Sequence, residues 1–134
     1  GLGLRNVYRF ARERSGEPEP DWLAERMQKE DVGALVGELG QSGRDPVCAR
    51  ALDLFISIYG NEAGALALRC VATAVYIGGG IAPKLLPALR SGAFLRAFCD
   101  KGRFRERLEG VEVSVCLEPR APLLGAAHAA AELC

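Results

Sequence analysis

An acid followed by proline, Asp45-Pro46, opens a run that stays apolar at helical spacing to about Cys70. The acid can accept hydrogen bonds from the first free amides. Proline at the first helical position loses nothing, because its missing N–H would have no partner there. Val47, Ala51, Leu54, Phe55, Ile58, Tyr59, Ala63, Leu66 and Ala67 recur at the spacing of a helix. A helix this long and this apolar belongs in the middle of its fold, largely buried. Gly60 and Gly64 lie four apart within it, and glycines so placed signal the close approach of another backbone, or a bend.

The segments on either side must cover that helix. Leu4, Val7, Tyr8 and Ala11 predict a helix over 4–14, ended by the polar loop 15–20. Asp21 caps a second helix from Trp22 to about Lys29, with Glu25 where the helix dipole favours an acid. Asp31 restarts the chain as a helix through Leu39, before the breakers Gly40-Gln41-Ser42-Gly43. Beyond the central helix, 71–77 is a β-branched apolar run and reads as a buried strand. Gly78-Gly79-Gly80 ends it, and Pro83 opens a short helix to Leu89. Further helical turns follow over 93–99 and 104–108. A second strand over 111–117 alternates Val111, Val113, Val115 and Leu117 against Glu112, Ser114 and Cys116. An Ala-rich helix spans 123–133. Two strands separated by helices pair in parallel through a right-handed crossover. The fold class is α/β, predominantly helical, with about two parallel strands. So small a parallel sheet is a poor complete fold, and the opening Gly1-Leu2-Gly3 has no Met. The chain therefore reads as part of something larger.

Composition narrows the function. A chain of 134 residues buries about two-thirds of its unfolded surface, enough for one domain and not two. The 17 basic and 17 acidic residues cancel, so no net field draws nucleic acid or an anionic membrane. No stretch is long and apolar enough to span a bilayer, and the first residues do not form a leader. Cys48, Cys70, Cys99, Cys116 and Cys134 are scattered, with no CxxC pair. Reduced thiols in the cytoplasm account for them, rather than a disulfide framework or a zinc site.

The segment best suited to chemistry is Val75-Tyr76-Ile77-Gly78-Gly79-Gly80-Ile81-Ala82-Pro83. Glycines let a backbone come close to a ligand, and a helix start offers free N–H groups to an anion. A nucleotide phosphate or ribose is the natural guest, although a tight turn with no ligand would use the same residues. Two phosphate motifs fail here. Pro83 stands where both the dinucleotide fingerprint beginning at Gly78 and Gly80 and the P-loop of Gly78 and Lys84 need a glycine. Asp100-Lys101-Gly102-Arg103-Phe104-Arg105-Glu106-Arg107 reads as a solvated basic face with Phe104 tucked beneath it. His128 has no partner at motif spacing, and Glu25, Asp53, Glu62 and Glu118 are isolated acids. No catalytic residue and no metal ligand is assigned.

Taken in order, the segments resemble the C-terminal part of bacterial glucokinase over nearly the whole chain. They are Gly1-Leu2-Gly3-Leu4-Arg5-Asn6-Val7-Tyr8-Arg9, the helix opened by Asp45-Pro46 with Arg50-Ala51-Leu52-Asp53-Leu54-Phe55, Tyr76-Ile77-Gly78-Gly79-Gly80-Ile81-Ala82-Pro83, Asp100-Lys101-Gly102-Arg103-Phe104 and Pro122-Leu123-Leu124-Gly125-Ala126-Ala127-His128. The resemblance implies an actin-like, ribonuclease-H-like kinase of two domains, which moves the γ-phosphoryl of ATP to the 6-hydroxyl of glucose with Mg²⁺ on the phosphates. It places residues 1–134 in the large domain and sends the terminal segment 121–134 back toward the N-terminal domain. It puts Gly78, Gly79, Gly80 and Ile81 against the nucleotide. The family's phosphate-binding glycine segment, catalytic aspartate and sugar-binding residues match no position here, so the chain alone is expected to be inactive. A homodimer is expected, held by apolar surface such as Leu123, Leu124, Ala127, Ala130 and Leu133 or by the open sheet edge. The alternatives are a non-catalytic helical interaction or scaffold domain, and a kinase for a related hexose.

Overall fold

The computed structural model describes residues 2–132. Gly1, Leu133 and Cys134, and with them the end of the expected terminal helix, lie outside the described residues. The elements in order are α1 (Leu2–Ser15), α2 (Asp21–Lys29), α3 (Val32–Ser42), α4 (Pro46–Arg69), β1 (Ala74–Ile77), α5 (Ile81–Lys84), α6 (Leu86–Arg90), α7 (Ala93–Cys99), α8 (Arg105–Glu109), β2 (Glu112–Val115) and α9 (Ala121–Glu132), with a 3₁₀ turn at Gly102–Phe104. None of these helices is long and apolar enough to cross a membrane.

α4 is the axis, as the sequence predicts. Asp45 accepts a 2.7 Å hydrogen bond from the Cys48 amide, and Pro46 takes the first position. α1, α3 and α7 all pack on α4. The two glycines explain the closest of these contacts. A Cβ built at Gly60 would collide with the carbonyl oxygen of Phe94, and one at Gly64 with that of Phe98. α7 therefore lies directly on the α4 backbone. Two apolar cores result. Leu4, Tyr8, Leu23, Leu35, Val36 and Leu39 close over the first part of α4. Leu52, Ile56, Ile77, Leu85, Phe94, Phe98 and Leu108 form the second. Phe55 touches both. Ile58 and Leu66, read as core from their spacing, are exposed, while Leu52 and Ile56 are buried. The buried stripe turns around so long a helix as different neighbours meet it.

Several boundaries differ from the sequence reading. Asp21 lies inside α2, and Pro20 occupies the cap without a side-chain bond. Asp31 does cap α3, accepting from the Ala34 amide at 2.7 Å. The expected breakers continue α3 to Ser42, and the stop is Gly43 in the left-handed region at φ 67°. The strand expected from residue 71 starts at Ala74, because α4 ends in a Schellman turn. The Ala72 amide donates to the Ala67 carbonyl at 2.9 Å and the Val71 amide to that of Leu68 at 3.2 Å. The left-handed position of that turn, usually glycine, is Val71 at φ 51°. The second strand is likewise shorter than 111–117. β1 and β2 pair in parallel, with Ala74 opposite Glu112 and Ile77 opposite Val115.

One polar network joins α1, the loop that follows it and the start of α4, and is absent from the sequence reading. Arg12 reaches Asp45 with Nη2 at 3.3 and 3.2 Å from its two carboxylate oxygens and donates through Nε to the Tyr8 hydroxyl at 3.1 Å. Tyr8 donates to Glu19 at 2.6 Å. Burial alone would raise the Asp45 carboxyl. The Cys48 amide and the Arg12 guanidinium outweigh it and hold the group below its ordinary range. Burial, and then Asp45, push the neighbouring Cys48 thiol up to about 12, so this cysteine behaves as a small core residue. Cys48, Cys70, Cys99 and Cys116 are all free thiols.

Candidate functional site

Because the two strands are parallel, their carboxyl ends open on the same side. In open α/β sheets that is where ligands enter. A cleft of about 640 Å³ lies there, lined by Tyr76, Gly78, Gly79, Gly80, Pro83 and Lys84 after β1 and by Cys116, Leu117, Glu118 and Pro119 after β2. Glu118 is held at 3.0 Å by Arg120. On the other side of Gly80 a second cleft of about 520 Å³ runs between α3 and α5, lined by Leu4, Gly33, Ala34, Gly37, Glu38 and Gln41 with Gly80, Ile81, Lys84 and Leu85. Gln41 braces its far wall, its amide nitrogen donating to the carbonyls of Gly37 and Lys84 at 3.2 Å each.

The structure brings the four sequence-predicted residues together: Gly78, Gly79 and Gly80 line the first cleft, and Gly80 and Ile81 the second. Only Gly79 needs glycine for its conformation, at φ 97°. Gly80 is helical at φ −80°, and Gly78 is not among the glycines of positive φ. A Cβ at 78, 79 or 80 would meet nothing within 4 Å. Neither backbone strain nor internal packing therefore accounts for glycine at 78 and 80. The bare turn leaves main chain open to whatever enters the clefts.

The helix after the turn is not the one expected. It starts at Ile81, with Pro83 inside it, and ends after one turn at Lys84 before α6 begins at Leu86. One turn carries little dipole, and Pro83 contributes no N–H. The turn can therefore approach a ligand closely, but a long helix start does not hold an anion there.

The other singled-out residues stand apart from the clefts or are engaged elsewhere. Phe104 is not tucked away; it is 42% exposed with the Arg103 guanidinium 4.9 Å from its ring centre. Arg105 pairs with Glu109 at 3.6 Å, and Arg107 donates to the Val71 carbonyl at 3.4 Å. The basic segment is a solvated face. His128 is on the surface of α9, 3.3 Å from Glu132. Glu25, Asp53 and Glu62 are exposed. Among the described residues no three His, Cys, Asp or Glu side chains gather as metal ligands. The second cleft escaped the sequence reading. Its one signal is the small residues Gly33, Ala34 and Gly37 on one side of α3, and spacing alone cannot tell such a stripe from helix packing.

The Glucokinase family matches residues 1–133 of the chain. A glucokinase of Nostoc punctiforme is 41% identical, over 99% of this chain and 42% of its own length. One of a Synechocystis species is 35% identical, over 98% of this chain and 41% of its own length. The chain thus spans about 42% of these relatives. The crystal structure of a glucokinase from an Antarctic psychrotroph superposes with a TM-score of 0.78 at 28% identity, over 95% of this chain and 37% of that one. The likeness runs through sequence and fold alike; the chain belongs to the glucokinase family.

Proposed function

We propose that this chain is the C-terminal, nucleotide-side portion of an ATP-dependent glucokinase. The whole protein would phosphorylate glucose at its 6-hydroxyl in the cytoplasm. The observation that carries the reading is the bare turn at the carboxyl ends of both strands, where glycine at 78 and 80 answers no need of the fold itself. In this reading the backbones of Gly78, Gly79, Gly80 and Ile81 lie against ATP. The cleft beside α3, walled by the small residues Gly33, Ala34 and Gly37, takes the flat base, and the phosphates lead away past the turn. Among the described residues no group of donors gathers as a metal site, and Mg²⁺ is assigned to the phosphates. Phosphoryl transfer needs positioning and charge stabilisation from both sides of a cleft, so the chain alone binds nucleotide without turning over.

Residues 1–134 are then part of the large domain, and the segment 121–134 packs on the N-terminal domain. The supporting feature is α9, which has no buried residue and exposes Leu123 and Leu124. By itself the chain covers that surface by forming a homodimer; sedimentation equilibrium that returns a monomer at high concentration overturns this.

The test of the nucleotide reading is a titration with ADP and Mg²⁺ followed by ¹⁵N NMR. Saturable shifts centred on the amides of Gly78, Gly79, Gly80 and Ile81 are expected. A dispersed spectrum that does not respond overturns it for this chain.

A further inference from the structure

Lys84 lines both clefts, and among the described residues it is the only basic one lining either. We propose that its ammonium is the contact this chain makes with the phosphate groups of the nucleotide; the inference rests on the function proposed above. The charges around the turn leave it this role. The cleft beside α3 is lined by two acids, Asp31 and Glu38, the second facing Arg26 at 3.6 Å, and the larger number of acids disfavours an anion there. In the cleft at the strand ends the acid is Glu118, engaged by Arg120 at 3.0 Å. Phosphates therefore belong on the strand-end side of the turn, with Lys84 at the boundary between base and phosphate.

The anchoring of Lys84 suits this task. Its side chain is exposed, and no carboxylate among the described residues forms an ion pair with it. Its backbone is fixed, because the carbonyl accepts from Gln41 and the Leu85 side of the turn is buried in the second core. A fixed root and a free, flexible cation fit a point-charge contact to phosphate. The bare turn next to it removes any Cβ from the path between the clefts.

The experiment compares ADP, AMP and adenosine binding, read from the ¹⁵N shifts, for the wild-type chain, Lys84→Met and Lys84→Arg. Lys84→Met is expected to weaken ADP about tenfold, the scale of one charge-assisted hydrogen bond, and to leave adenosine within about twofold. Lys84→Arg is expected to restore most of the ADP affinity. Equal losses for ADP and adenosine, or no loss for ADP, overturn the assignment while leaving the nucleotide site standing. A wild-type chain that binds none of the three overturns the nucleotide reading and this inference with it. Unchanged amide shifts away from the turn show that the variants are folded.

Discussion

Replacing Gly60 with alanine tests the α4–α7 contact on which the second core is built. In an open helix the change would help, because alanine is preferred over glycine by about 1 kcal/mol. Here the new methyl would overlap the Phe94 carbonyl oxygen and come within 2.9 Å of its carbon and 3.0 Å of its Cα. These are main-chain atoms, so no rotamer change relieves them and α7 must move off α4 as a unit. Overpacking of a tight core costs about 1–3 kcal/mol, and a backbone collision belongs at the upper end. Set against the gain in propensity, Gly60→Ala should destabilise by about 2 kcal/mol. At a urea slope of about 2 kcal/mol/M this lowers the midpoint by about 1 M with the slope unchanged. Gly64→Ala meets Phe98 in the same way. Once α7 has moved for one methyl it has partly moved for the other, so the double variant should lose less than the sum of the two singles. A rise in the midpoint for Gly60→Ala would refute the close contact and with it this account of the glycine pair.

Val71→Gly should stabilise the chain by about 1 kcal/mol, because a β-branched residue at φ 51° is strained and glycine is not; urea titration measures it, and destabilisation would mean that the exposed valine makes contacts worth more than the strain. Asp45→Ala removes both the cap of α4 and the partner of Arg12, whose side chain is only 12% exposed, and should destabilise by about 2–4 kcal/mol. The pH dependence follows from the same group. Its pKa is lowered in the fold, so its contribution is complete above the unfolded value of about 3.9 and is lost as pH falls through the lower folded value. Urea midpoints measured down through this range should therefore fall more steeply for the wild type than for Asp45→Asn, and parallel curves would remove Asp45 from the acid response.

Local chemistry made much of this legible in sequence. Asp45-Pro46 is a self-contained helix start, and the alternation from Val111 to Val115 is a self-contained strand. The Gly60 and Gly64 spacing announced a close neighbour because few other roles suit glycine inside a helix. What stayed hidden depends on partners distant in the chain. The strand at 71–77 lost its first residues because a valine accepted a left-handed turn, which β-branched residues disfavour. Ile58 and Leu66 have the right spacing for a core, but no element among the described residues covers them. The three glycines named the candidate turn, yet which of them the fold itself requires became visible only from the dihedral angles and the space around each one. The cleft beside α3 needed that helix docked against Leu85 before it existed at all. Lys84 drew notice only as part of a P-loop pattern that failed.

The passage of α4 through both cores bears on how the molecule opens. Its first turns are closed over by α1 to α3 and its last by α5 to α8 and the strands, so either half can breathe while the other stays shut. Its amides should exchange with solvent as two populations that meet near Phe55, each following its own sub-global opening. The cleft beside α3 lies on that seam: Gly33, Ala34, Gly37 and Gln41 belong to one half, and Gly80, Ile81 and Lys84 to the other. Anything seated there fastens the halves together, so that occupancy converts two foldons into one cooperative unit.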